Sequence, residues 1–153
     1  MSDWFQLKRG EACPFDLPGR SVDSHMLEVR KLRVSTLYLS RIQTYRGHCV
    51  LLFDPRHATR IDELSAAEWA AQAQDIFDTD AALLRAFEPD HINIASIGQL
   101  MPHLHWHIVP RYRDDPRWGG PIWMTRQDEM SVVHLSEAEY GEQIAAIRAE
   151  LPG

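Results

Sequence analysis

The run His103-Leu104-His105-Trp106-His107-Ile108-Val109 sets three imidazoles at i, i+2 and i+4. Side chains on a strand alternate between faces, so this period brings all three rings to one face and turns Leu104, Trp106 and Ile108 to the other. Neighbouring imidazole roots then stand about 6.6 Å apart, from a rise of about 3.3 Å per residue. Such a row suits phosphoryl chemistry without a metal. A neutral ring nitrogen is a competent nucleophile toward phosphorus, and adjacent imidazolium groups stabilise the charge that builds on the phosphoryl oxygens. His105 sits between two partners and is the natural nucleophile. Its other nitrogen needs an acceptor, expected to be a backbone carbonyl, to fix the tautomer. A single ion is a poorer match. The three roots span roughly 13 Å, and the nearest carboxylates, Asp114 and Asp115, lie beyond Pro110. A metal-dependent hydrolase is therefore the weaker reading, and no metal or other cofactor is expected.

The elements that must hold this row are legible around it. His25–Leu32, Val34–Leu39 and His48–Phe53 read as strands, the last stopped by Asp54-Pro55. Ser65-Ala66-Ala67-Glu68 is a capping box. Behind it Trp69, Ala73, Ile76, Phe77, Leu84 and Phe87 recur at helical spacing until Pro89. His91–Ile97 and Met101–Pro110 read as strands, Arg111–Trp123 as a loop rich in Pro, Gly and Trp. A second capping box at Ser136 and Glu139 opens a helix over about 136–151, with Tyr140, Ile144, Ile147 and Leu151 on its apolar side. Residues 1–24 read as an irregular leader with a short helix at Trp4 to Lys8. Short turns between the early strands favour antiparallel pairing, so the class is α+β, an antiparallel sheet with two main helices. No repeat or linker divides the chain, and 1–153 reads as one domain.

The triad run matches the His-φ-His-φ-His-φ-φ signature of the histidine triad (HIT) family, where φ is apolar. The resemblance extends over roughly His25 to Pro121. Gly98-Gln99 precedes the triad where the family carries a Gly-Gln pair, and Arg46-Gly47-His48-Cys49-Val50-Leu51 resembles the turn and strand that supply its fourth histidine. The resemblance implies the HIT fold and attack on the α-phosphorus of a nucleotide ester, anhydride or phosphoramidate. His105 would carry the nucleotidyl group before water or another acceptor takes it. His103 and His107 would support it and bind phosphate oxygens, and His48 would complete the site. Gln99 would donate to a phosphate or leaving-group oxygen, and Asn93 lies near the position of a phosphate-touching amide. Eight residues before His48 the family often has Asp or Asn on the ribose hydroxyls. Here it is Ser40, so looser ribose recognition is expected. Some relatives carry Cys-x-x-Cys near the start as half of a structural zinc site. Here Cys13-Pro14-Phe15-Asp16 puts a hard carboxylate in place of one thiolate, and the expectation is no metal. A homodimer is implied by the resemblance as well.

Composition narrows the partners. Of 153 residues, 16 are Lys or Arg and 22 are Asp or Glu, a formal net charge of -6. That argues against a binder of DNA or RNA polymers, which needs a net basic face, and leaves room for one small phosphorylated ligand. Two cysteines make no disulfide framework and suit a reducing compartment. No apolar run approaches a membrane span, and the start lacks a signal-peptide apolar core, so a cytoplasmic protein with no membrane partner is expected. A nucleotide-binding sensor or adaptor that lost turnover is the alternative in another class. Arg111, Arg113 and Arg117 with Trp118 and Trp123 read either as a lid over outer phosphates and base, or as a surface loop pinned by its aromatics.

Overall fold

The computed structural model describes residues 3–115, 117–124 and 131–153. Met1, Ser2 and Pro116, which fall within the expected leader and loop, lie outside the described residues. Five strands form one antiparallel sheet in the order β1-β2-β3-β5-β4: β1 Met26–Lys31, β2 Ser35–Ser40, β3 Cys49–Phe53, β4 His91–Ala95 and β5 His105–Arg111. The expected α+β class and antiparallel sheet are what the chain adopts.

Helices α2 (Ala66–Phe87) and α3 (Glu137–Glu150) both begin at the expected capping boxes. The Ser65 and Ser136 hydroxyls accept from the backbone N–H of Glu68 and Glu139, whose carboxylates reach back to the cap amides. The two helices pack together on one face of the sheet. There Val29, Leu37, Leu39, Leu51 and Ile108 meet Leu83, Phe87, Tyr140 and Ile147 to form the main core. Trp106 packs against the same cluster, as the triad's alternation requires.

The opposite face is covered by the leader. Helix α1 (Trp4–Lys8) begins it, and Val22, Met26, Tyr38, Val50 and Leu52 form a second apolar cluster with Phe15 against it. Every residue of β2 and β3 is consequently buried, on both faces. The leader is thus a packed layer and not a loose arm. Arg20 ties it down. Its guanidinium donates to the Phe15 carbonyl (2.8 Å) and the Tyr38 hydroxyl (3.1 Å), and pairs with Asp54 at 2.6 Å.

The triad strand starts later than the sequence suggests, at His105 and not Met101. Pro102 has no N–H to give a ladder. The Leu104 N–H donates instead to the Ala58 carbonyl (2.6 Å), and its carbonyl accepts from Phe53 (3.1 Å). Residues 101–104 are held by the chain after β3 and lie off the β4 ladder.

Candidate nucleotide-handling site

Register builds the site. His105 and His107 stand opposite Leu52 and Val50 of β3, on the leader-covered face, with ring centroids 5.2 Å apart. His48 enters from the turn before β3. Gly47 makes that turn possible: its φ is +83°, and a Cβ there would lie 2.6 Å from the Phe87 ring. His48 Nε2 and His107 Nδ1 share a hydrogen bond at 3.1 Å.

His105 Nδ1 lies 2.6 Å from the His103 carbonyl oxygen. A carbonyl can only accept, so Nδ1 carries the proton and Nε2 keeps its lone pair. The expected backbone acceptor is therefore present, supplied by the triad's own first member. Burial holds all three rings neutral: it pushes His48 down to about 4 and His107 to about 3, and lowers His105 as well. His107 is lowered further by His48 and His105 beside it.

A cavity of about 320 Å³ opens over these rings. Ser40, His48, His105 and His107 line it together, with Phe15 as one wall and His25 and His134 also on its surface. Ser40 Oγ accepts from the Ile42 N–H at 3.1 Å. Phe15, His25 and His134 carry no local motif, and only the fold brings them here. Trp123 reaches the rim, its ring 5.6 Å from that of His107.

Two expected residues stand elsewhere. Gln99 is exposed in the connection between β4 and β5. Asn93 accepts from the Arg111 guanidinium at 2.6 Å and lines a different cleft, beside Trp118 and Trp123 along β4. Arg111 is itself spent on the loop that follows it. It grips Asp115 with two bonds of 2.7 and 3.0 Å and donates to the carbonyls of Arg117 and Gly120. Its guanidinium is a staple for that loop.

His103 departs from the row. Its Nε2–H donates to the Phe53 carbonyl (2.8 Å), and its Nδ1 turns toward Asp16 (3.0 Å) and Cys13 Sγ (3.8 Å). His57, which no motif singled out, joins from the segment after β3. Its Nε2–H donates to the Lys8 carbonyl (3.1 Å), and its Nδ1 stands 3.1 and 3.2 Å from the two Asp16 oxygens. Both imidazoles thus spend Nε2–H on backbone carbonyls and turn Nδ1 toward the Asp16 carboxylate. Such a set is satisfied by a proton on Nδ1 or by a metal cation between the donors.

The four ligand atoms of Cys13, Asp16, His57 and His103 all lie within 4.8 Å of one another. Four tetrahedral ligands at 2.0–2.3 Å from zinc are separated by about 3.3–3.7 Å. A thiolate and a carboxylate would balance the charge of a divalent ion, and imidazoles tethered through Nε2–H are the usual outer support of metal-bound histidine. These residues fit a zinc-like ion, against the expectation that the Asp16 carboxylate disfavours one. Cys13 and Asp16 stand three residues apart in one segment, and the fold brings His57 and His103 to them.

The family model described as HIT domain matches residues 31–114. No curated protein sequence matches the chain. Among solved structures, a histidine triad protein from Bradyrhizobium japonicum is 25% identical with a TM-score of 0.77, over 85% of this chain and 93% of its own. A histidine triad protein from Marinobacter aquaeolei VT8 is 23% identical with the same TM-score, over 90% and 96%. Diadenosine triphosphate hydrolase from Plasmodium falciparum, solved with cyclomarin A, is 16% identical with a TM-score of 0.59, over 80% and 74%. With His105 and His107 on their strand, the fourth histidine hydrogen-bonded to His107 and the family model covering more than half of its length, this chain belongs to the HIT family.

Proposed function

We propose that the chain is a nucleotidyl hydrolase or transferase that cleaves a nucleotide conjugate at its α-phosphate, through a nucleotidyl group carried on His105. The observation that carries this reading is the His105 tautomer. Nδ1–H is committed to the His103 carbonyl, so the lone pair sits on Nε2 of a ring that lines the cavity. In the first step Nε2 attacks phosphorus, an Nε2–P bond forms, and the P–O or P–N bond to the leaving group breaks. In the second, water or another acceptor attacks the same phosphorus, the Nε2–P bond breaks, and the lone pair returns to Nε2.

The surrounding residues have matching tasks. When His48 Nε2–H donates to His107 Nδ1, the His107 proton stands on Nε2 as a donor to phosphoryl or leaving-group oxygen. An entering phosphate favours protonation of the neighbouring rings, which offsets the desolvation that otherwise keeps them neutral. Ser40 offers one hydroxyl toward the ribose end. Gln99 would have to swing in with its loop to reach the phosphate. Asn93 acts on the site through Arg111 and the loop bearing Trp123. An ion at Cys13, Asp16, His57 and His103 would supply fixation, holding the carbonyl that orients His105. The Plasmodium neighbour is named for hydrolysis of diadenosine triphosphate, which places dinucleoside polyphosphates among the first substrates to try.

The test is turnover of adenosine phosphoramidate and of diadenosine polyphosphates by the wild type and by His105→Ala. The variant should lose turnover while still binding AMP, and labelled nucleotide should be trapped on the wild type alone. Equal rates overturn the nucleophile assignment. AMP binding without turnover of any substrate in the panel favours the sensor reading. The open edge of β4, flanked by exposed Ile94, Trp118 and Trp123, is the surface we assign to a homodimer, to be checked by sedimentation.

A further inference from the structure

The cavity over His48, His105 and His107 has a second end that the chemistry at His105 does not use. Ser24, His25, Arg41 and His134 line it there with Met26 and Ile42. The sheet sets their order. His107 of β5 stands opposite Val50 of β3, the Ser40 N–H at the end of β2 donates to the His48 carbonyl (2.9 Å), and Met26 of β1 stands opposite Ser40. Just past these two strands the Arg41 N–H donates to the His25 carbonyl (2.8 Å). The Gln43 N–H donates to the Val133 carbonyl (2.8 Å), which brings His134 to the same end. The cavity therefore runs across the sheet from His107 through His48 and Ser40 to His25, Arg41 and His134. Two strand spacings, about 9–10 Å, separate β5 from β2, the scale of one sugar with a phosphate at either end. No Asp or Glu lines this cavity among the described residues, although the chain carries 22 of them. The imidazoles paired with a carboxylate among the described residues are those of His57 and His103, not His25 or His134. Arg41 pairs with Glu137 at 2.8 Å, donates to the Asp23 carbonyl (2.7 Å) and stacks on the Tyr140 ring at 5.4 Å. Its charge is thus held in place, and it offsets the one carboxylate bonded to it.

A ribose with free hydroxyls is well held by a carboxylate, which accepts from them; a ribose that carries a phosphate needs cations and donors in its place. This chain sets a serine hydroxyl there, with two imidazoles and a guanidinium beyond it. We propose that the cavity is built for a nucleotide whose ribose bears a second phosphate, on the 2′ or the 3′ oxygen, with Ser40 at the sugar and His25, His134 and Arg41 around that phosphate. The proposal rests on the nucleotide reading above and names the substrate class of the same site. A neutral imidazole offers such a phosphate one N–H, and a protonated one offers two and a charge. The 5′-phosphorus still lies toward His105, so the substrates are 5′-conjugates of ribose-phosphorylated nucleosides, cleaved at the α-phosphate by the two steps given above.

The experiment measures binding of AMP, ADP, adenosine 2′,5′-bisphosphate and adenosine 3′,5′-bisphosphate to the full chain by calorimetry. One of the two bisphosphates should bind about tenfold or more tighter than AMP, the gain of one charge-assisted contact or better. It should also bind more tightly than ADP, whose second phosphate extends the 5′ end instead. The better bisphosphate assigns the oxygen. His25→Gln and His134→Gln keep a polar side chain and remove the cationic form, so each should lower the preference for that bisphosphate over AMP severalfold. Ser40→Asp should invert the preference, because a carboxylate accepts from a free diol and repels a phosphate. Circular dichroism confirms that each variant is folded, and if Ser40→Asp unfolds, the two histidine variants decide. A chain that binds AMP as tightly as both bisphosphates overturns the proposal and leaves the nucleotide reading standing. An equal gain for ADP places the second phosphate at the 5′ end and overturns it too. A preference that survives both histidine substitutions overturns the residues assigned here. If none of the four ligands binds, the nucleotide reading fails and this substrate class with it.

Discussion

Two groups of imidazoles sit side by side on this protein and are built on different rules. His48, His105 and His107 lie together along one cavity, with no carboxylate hydrogen-bonded to them among the described residues. His57 and His103 face a carboxylate and a thiol. Desolvation dominates the first group and keeps its rings neutral. In the second, backbone carbonyls take the Nε2 protons and leave both Nδ1 atoms turned toward a carboxylate and a thiol, a donor set suited to a metal ion. The chain passes from one to the other within two residues, from His103 to His105. What an imidazole does here is set by which of its nitrogens the backbone claims, Nδ1 in His105 and Nε2 in His103 and His57.

Substitutions can break that contrast. The largest effect belongs to His105→Ala, expected to lower kcat by about a thousandfold or more while leaving zinc content unchanged. His57→Ala should do the reverse, losing metal while single-turnover chemistry at saturating nucleotide persists. Next is His48→Asn, which removes the partner of His107 Nδ1 and should lower kcat by about ten- to a hundredfold, with KM changed less. Gly47→Ala strikes the same turn through the backbone. A residue with a side chain at φ +83° and a Cβ against Phe87 should destabilise the fold by about 1–3 kcal/mol in urea melts.

The smallest and most discriminating effect is in pH. His48 and His107 in the folded protein lie near 4 and 3, below the 6.5 of an unperturbed imidazole. The unfolded chain therefore binds more protons as pH falls. Stability present above pH 6.5 should be lost progressively as pH drops from there toward the folded values of about 4 and 3. Urea midpoints measured between pH 7 and 4.5 should decline, and His107→Asn should flatten the decline. A slope that the substitution leaves untouched would show that these rings are not what titrates.

Much of the cavity was legible in the sequence because its parts are local. The period of two through His105 and His107, the apolar residues between them, the Gly47-His48 turn and the two capping boxes are short-range patterns with short-range causes. Asn93 shows the limit. The family resemblance implies a phosphate contact for it, and only the fold shows that Arg111, at the end of β5 opposite His91, donates to its amide oxygen.

The sequence by itself determined that His105 and His107 would lie together on one face of a strand in an antiparallel sheet. Tertiary structure decided that His103 leaves the row. Pro102 cannot join a ladder, Leu104 pairs with Ala58 and Phe53 instead, and the ring swings to meet Cys13, Asp16 and His57. Those four donors come from three separate segments, so the Cys13–Asp16 spacing could announce only half of them. Their meeting follows from burying the leader on the open face of the sheet, an outcome of packing the whole chain that no local pattern encodes.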